Sequence, residues 1–229
     1  MVSEEKTIIP VRIKFSKTGD LMYISHLDLA RTMQRIILRS GIDIWYSEGF
    51  NPQPKMVFAV PLPVGVESEC ELMDIKINSF MSNEEIMQRI NDNFPTQMKV
   101  IEVYNPDVKF KNLAYIDYDI SITSPQISEK VGEQIVSLFS HECKIIKKTK
   151  SGEKELDLSE YIKLFELKCN NDTLSIHTIL PVGNDMNLNP ELLIDAIKQH
   201  IGILNTDSPS EHYSIMRKKM LGDDLKEFR

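Results

Sequence analysis

The chain has 229 residues, 41% of them hydrophobic and 27% charged, which fits a folded globular protein and excludes a disordered or collagen-like one. No apolar run is long enough to cross a bilayer as a helix, and the start Met1-Val2-Ser3-Glu4-Glu5-Lys6 is acidic where a secretory signal is basic, so a cytoplasmic protein is expected. A net charge of −7 argues against a broad footprint for long duplex DNA and leaves room only for local basic clusters.

In chain order, residues 8–15 alternate, with Ile9, Val11, Ile13 and Phe15 on one side, and predict a half-buried strand. A turn at 17–20 leads to residues 21–24, which read as a short strand pairing back. Ser25 caps a helix to about residue 40, with Asp28 as a capping-box-like partner and Gly41 as the stop. Extended pieces follow at 43–46 and 56–60, then a strand over 69–77. Ser82 with Glu85 opens a second helix to about residue 93, and 98–104 is the last strand of this half.

The second half repeats the order. Residues 114–122 alternate as a strand. Ser124-Pro125 starts a helix with Ile127, Val131, Ile135, Leu138 and Phe139 on one face. Residues 143–149 are extended, and 150–153 read as an exposed hairpin tip. Residues 161–169 and 174–180 form a hairpin closed by Asn170-Asn171-Asp172. Asn189-Pro190 opens a helix that Gly202 stops, and 213–220 closes the series. A β-α-β-β-α-β order in each half predicts an α+β protein of two tandem ferredoxin-like units, 1–108 and 109–229. The three cysteines, Cys70, Cys143 and Cys169, are odd in number and far apart, which predicts free, buried thiols.

Residues 25–63 concentrate the chemistry. At about 100° per residue, Leu29, Ala30, Met33, Ile36 and Ile37 share one arc of the first helix, while Asp28, Arg31, Arg35 and Arg39 share the other. Three arginines without a lysine supply planar, forked donors suited to phosphate or carboxylate, and they also fit an ordinary solvated face. His26 falls inside the buried arc, where a histidine is more often structural than catalytic. It acts as a general base only if a carboxylate such as Glu48 or Asp28 meets it.

Gly49, Pro52 and Pro54 make 47–54 a stiff loop. It carries Phe50, which can stack on a base, and Asn51 and Gln53, which can read a base edge. Trp45 fits better as a core plug. Further basic residues lie at Lys144, Lys147, Lys148 and Lys150 and at 217–219. No P-loop, dinucleotide fingerprint, nucleophile elbow or zinc helix is present, and His141, His177, His200 and His212 lack ligand spacing, so no metal and no cofactor are expected.

The run from Ser25 to Asp28, the arginines, Gly49-Phe50-Asn51-Pro52-x-Pro54 and Pro61-Leu62-Pro63-x-Gly65 resembles the radical SAM-linked protein family, a domain of unknown function. Lys147-Lys148-Thr149-Lys150-x-Gly152, Asp157-Leu158 and Tyr161-Ile162 extend the likeness over nearly the whole chain. The resemblance implies a bacterial accessory protein fused to, or encoded beside, a radical S-adenosylmethionine protein, often near an RNase G-type ribonuclease. It implies no activity and no catalytic residues. The chain lacks the C-x-x-x-C-x-x-C motif of a radical enzyme and would be the linked partner. The tandem order is also similar to that of the RNA-processing endonucleases of CRISPR systems.

The expected function is binding of structured RNA, or of a radical SAM partner, through Asp28, Arg31, Arg35, Arg39, Phe50, Asn51, Gln53, Lys147, Lys148 and Lys150. The alternatives are an RNA-processing or RNA-modifying enzyme using His26 with a nearby carboxylate, or a binder of a small anionic metabolite.

Overall fold

The computed structural model describes residues 8–149, 152–183, 186–205 and 208–229. The chain divides into two compact units, Met1–Asn112 with Arg229, and Leu113–Phe228. The protein is mixed α+β, with four α-helices among the described residues and antiparallel sheets.

The first unit runs β1 (Ile9–Lys17), α1 (His26–Arg39), β2 (Met56–Phe58), β3 (Val66–Ile77), α2 (Asn83–Asn91) and β4 (Met98–Tyr104). The strands lie in the order β4-β1-β3-β2, every pair antiparallel. Leu29, Met33, Ile36 and Ile37 of α1 and Ile86 and Ile90 of α2 are buried with Val11, Ile13, Phe15, Met73 and Ile75 of the sheet. Each helix starts where its sequence satisfies the free N–H groups of the first turn. Ser25 Oγ accepts from Asp28 N–H and Ser82 Oγ from Glu85 N–H.

Residues 21–24 form no strand; a 3-10 turn occupies Gly19–Tyr23 instead. Both edges of β1 are already taken by β3 and β4, so nothing is left for a returning strand to pair with. Gly19, at φ 59°, turns the chain, and Lys17 Nζ donates to Leu21 O at 2.9 Å. Strand β1 is half-buried as expected: Val11, Ile13 and Phe15 are buried, and on the other face Pro10 is exposed and Lys14 and Ser16 are half-buried, while Arg12 alone is closed off. Arg12, with 0% exposure, donates to both carboxylate oxygens of Asp74 across the strand pair at 2.7 and 2.9 Å. It also donates to Val108 O at 2.9 Å and lies under the Phe110 ring, 4.2 Å from its centroid. Through these contacts residues 108–112 stay with the first unit.

The second unit runs β5 (Tyr115–Thr123), α3 (Glu129–Ser140), β6 (Lys144–Thr149), β7 (Gly152–Asp157), β8 (Leu164–Asn170), β9 (Thr173–Pro181), α4 (Glu191–Ile201) and β10 (His212–Leu221). Its strand order is β10-β5-β9-β8, again antiparallel, and β6 pairs with β7 as a separate ribbon. Helix α3 begins four residues later than the sequence suggests, with Ser128 as its cap. Ser124 is fully buried and spends its hydroxyl on Glu211 Oε1, so it forms a turn and not a cap. Strand β7 is new: Asp157 closes the ribbon by accepting from the N–H groups of Cys143 and Ser159. All three cysteines are free; Cys70 and Cys143 are buried and Cys169 half-buried. No described helix is long and apolar enough to cross a membrane.

Candidate ligand-binding surfaces

The outer face of α1 starts at a tightly tied cap. Ser25 Oγ donates to Asp28 Oδ2 at 2.7 Å while accepting from the Asp28 N–H at 3.1 Å, which fixes that carboxylate over the positive end of the helix. Arg31 approaches Asp28 Oδ1 at 3.7 Å, with both side chains well exposed, so the pair is weak. Arg35 and Arg39, one and two turns on, are exposed and have no carboxylate partner among the described residues. At the far end, Arg89 of α2 pairs with Glu85 and donates to Ser40 O and Gly41 O. Those carbonyls belong to the end of α1, which otherwise lacks partners for them.

His26 lies half-buried at the start of α1, its ring edge-on to Phe58 with centroids 5.2 Å apart. Among the described residues no carboxylate pairs with it. Its surroundings are therefore those of a packed aromatic ring.

The stiff loop is an arm with a braced base. Trp45 N–H donates to Lys76 O on β3, Lys55 N–H to Trp45 O, and Ser47 N–H to Gln53 O. Tyr46 and Pro54 bridge across the arm, and Gln53 N–H donates to Ser47 Oγ. Beyond that clasp Glu48, Gly49, Phe50, Asn51 and Pro52 are all exposed, and Gly49, at φ 126°, makes the reversal that a side chain would strain. Phe50 stands at the tip with a relative exposure of 112%, so its ring touches essentially nothing. Gln53 Nε2 donates to Asn51 Oδ1 at 3.3 Å, which holds the two amides side by side. Trp45 is half-buried, with Lys76 Nζ 5.3 Å from its ring centre. The turn at 61–65 is fastened by the buried Leu62 and by Gly65 N–H donating to Met22 O.

The arm tip and the three arginines belong to one unit, but no hydrogen bond or ion pair among the described residues joins them. Lys147 and Lys148 fall on β6, in the second unit; their side chains, and Lys150 altogether, lie outside the described residues.

A second cluster escaped the sequence reading. On β5, Asp117 and Asp119 are two residues apart and therefore point to the same face of the sheet. That face is opposite to the one bearing Leu167 and Leu174, against which α3 packs at Gly132. Strand pairing sets His177 of β9 directly beside Asp119. Its Nδ1 is 3.0 Å from Asp119 Oδ1 and 3.3 Å from Asp117 Oδ1. Asp117 keeps only 10% of its side chain exposed, and burial pushes its carboxyl above the usual carboxylate range against the pull of His177. Asp119 and His177 line a concavity of about 450 Å³ that Ser121, Ser175, Lys168 and Ser214 also border. The Asp-x-Asp spacing on a predicted strand was the one signal available beforehand. The histidine, on a distant strand, could be added only by knowing the register.

The chain belongs to a family described as an uncharacterized protein conserved in bacteria (DUF2344), whose family model matches residues 11–190. The matched stretch includes both surfaces just described. No curated protein matches the chain. The solved structures similar to it include two that show a likeness alone. One is a chain from the crystal structure of a Cbf5-Nop10-Gar1 complex, 9% identical over 92% of this chain and 48% of that one, with a TM-score of 0.47. The other is an unknown protein from Galdieria sulphuraria, 6% identical over 92% of this chain and 98% of that one, with a TM-score of 0.26. The present chain thus spans about half the length of the first.

Proposed function

We propose that this chain is an accessory protein that binds structured RNA through the arm and the outer face of α1, in partnership with a radical SAM enzyme. The observation that carries the reading is Phe50, held bare at the tip of a braced arm. A folded chain gains nothing from presenting an isolated aromatic ring to water, whereas an unstacked base supplies the flat partner it lacks. Asn51 and Gln53 beside it carry the donors and acceptors that read base edges. Arg35 and Arg39, exposed on α1 and without a carboxylate partner among the described residues, are suited to phosphates.

The strand order in each unit supports reading the two as ferredoxin-like, a frame whose sheet and loops host many kinds of ligand. The radical SAM partner rests on the resemblance of the motifs in residues 25–63 and 147–162 to the radical SAM-linked family. Localisation in the cytoplasm follows from the same reading. No observation favours catalysis by His26, which lacks a titratable partner among the described residues.

The test is ultraviolet crosslinking in the native cell, followed by sequencing of the recovered RNA and identification of the proteins recovered with it. The reading expects a discrete structured RNA together with a radical SAM enzyme. It expects the combined Arg31→Ala, Arg35→Ala, Arg39→Ala variant to recover much less of the RNA while melting at the parent temperature. Recovery of no RNA above background, or equal recovery by the variant, overturns it.

A further inference from the structure

The Asp117–Asp119–His177 cluster poses a proton-counting problem. One imidazole nitrogen, His177 Nδ1, faces two carboxylate oxygens at 3.0 and 3.3 Å. That nitrogen carries at most one hydrogen and gives one full hydrogen bond, which goes to Asp119 Oδ1. Protonating the ring adds its second hydrogen at Nε2, on the other side, and leaves the problem unchanged. Asp117 Oδ1 is the atom left over: it is buried and accepts no hydrogen bond among the described residues. Buried carboxylate oxygens without a donor are costly and rare.

A cation resolves the geometry. The three ligand atoms, one from each residue, lie within 4.8 Å of one another. A dication about 2.1 Å from each of its ligands sets neighbouring ligands about 3.0 Å apart in an octahedron and about 3.4 Å apart in a tetrahedron. The two histidine-to-carboxylate separations, 3.0 and 3.3 Å, lie within that span. We infer that Asp117, Asp119 and His177 form a binding site for one divalent transition-metal ion of the Mn²⁺, Fe²⁺ or Zn²⁺ class on the face of the second unit's sheet turned away from α3.

The donor set selects that class. Two carboxylates alone suit Mg²⁺ or Ca²⁺ equally well, but an imidazole nitrogen shifts preference to the first-row metals. His177 binds through Nδ1 and keeps its proton on Nε2. Asp117 anchors from the buried side. Asp119 and His177, from adjacent strands, close the site toward the 450 Å³ concavity. Three protein ligands grouped on one side leave the remaining positions open to that concavity, where water or an oxygen-bearing ligand completes the shell. The site is independent of the RNA surface proposed above, and its failure would leave that proposal untouched.

The test uses the full-length, tag-free protein after chelation and dialysis, titrated calorimetrically with Mn²⁺ and with Zn²⁺ alone. One ion per chain is expected. His177→Gln and Asp119→Asn, both partly exposed positions, should each weaken binding by about tenfold or more while leaving the metal-free melting temperature unchanged. Electron spin-echo spectroscopy of the Mn²⁺ form should show coupling to one histidine nitrogen, lost in His177→Gln. Absence of stoichiometric binding, binding undiminished in both variants, or bound Mn²⁺ without a nitrogen signal overturns the assignment, and leaves the cluster as a histidine shared between two carboxylates only.

Discussion

The α1–arm surface of the first unit and the sheet face of the second are built in opposite ways. The first is local: Asp28, Arg31, Arg35 and Arg39 follow one another along a helix, and Phe50, Asn51 and Gln53 share one short loop. Its groups are exposed, and the chain itself does little with them. The second is assembled from β5 and β9, 58 positions apart at the Asp119–His177 pair, and its key atom is buried. Local surfaces cost a fold little and can be read from spacing. Long-range clusters are created by register, and their polar atoms must be satisfied where they lie.

That contrast can be broken first at the frame beneath the local surface. Arg12→Ala removes a buried guanidinium and strands the Asp74 carboxylate, so it should destabilise the protein by about 3–5 kcal/mol in urea unfolding. A loss below about 1 kcal/mol would show that this pair does not hold the first sheet. Next comes the arm tip. Phe50→Ala should weaken binding of the crosslinked RNA by about 1–3 kcal/mol, the usual worth of a base stacked on an aromatic ring. The melting temperature should not move, because the ring is fully exposed. A drop in stability without a drop in affinity would turn Phe50 into a packing residue.

The smallest effect lies on the helix-covered side of the second sheet. Tyr213 O–H donates to Glu191 Oε2 at 2.9 Å, burial pushes the Glu191 carboxyl above its ordinary value of 4.5, and burial with that carboxylate pushes Tyr213 up to about 12. The folded chain therefore holds the Glu191 proton more tightly than the unfolded chain does. The resulting stabilisation is present at acid pH and is lost as pH rises through the folded value. Glu191→Gln keeps an acceptor for Tyr213 and cannot ionise. Its melting temperature relative to the parent should climb as the pH rises above the ordinary carboxyl value of 4.5. A difference that stays flat with pH would contradict this sign.

Much of the fold was legible because periodicity and caps agreed. Ser25, Ser82, Gly41 and Gly202 mark helix ends in the sequence, and the helices begin or stop there. Residues 21–24 misled because alternation cannot reveal that both edges of β1 are occupied. Arg12 was invisible as a core residue because an arginine in an alternating strand reads as solvent-facing until a chain segment, here 108–110, is seen to cover it. Strand β7 was hidden by its charges, since only Leu156 and the closing Asp157 betray its pairing. Of the candidate sites, the helix stripe and the arm were legible by spacing. The Asp117–Asp119–His177 cluster was half legible, as an Asp-x-Asp strand whose third member only the sheet supplies.

The central claim is that nucleic acid is held by the first unit's local surface. Its most direct test is the salt dependence of binding of the crosslinked RNA by three proteins: the parent, the combined Arg31→Ala, Arg35→Ala, Arg39→Ala variant, and His177→Gln. Each lost phosphate contact lowers the slope of log affinity against log salt by about 1, so the arginine variant should lose about 3 and the histidine variant nothing. An unchanged slope in the arginine variant, or a loss confined to His177→Gln, would contradict it.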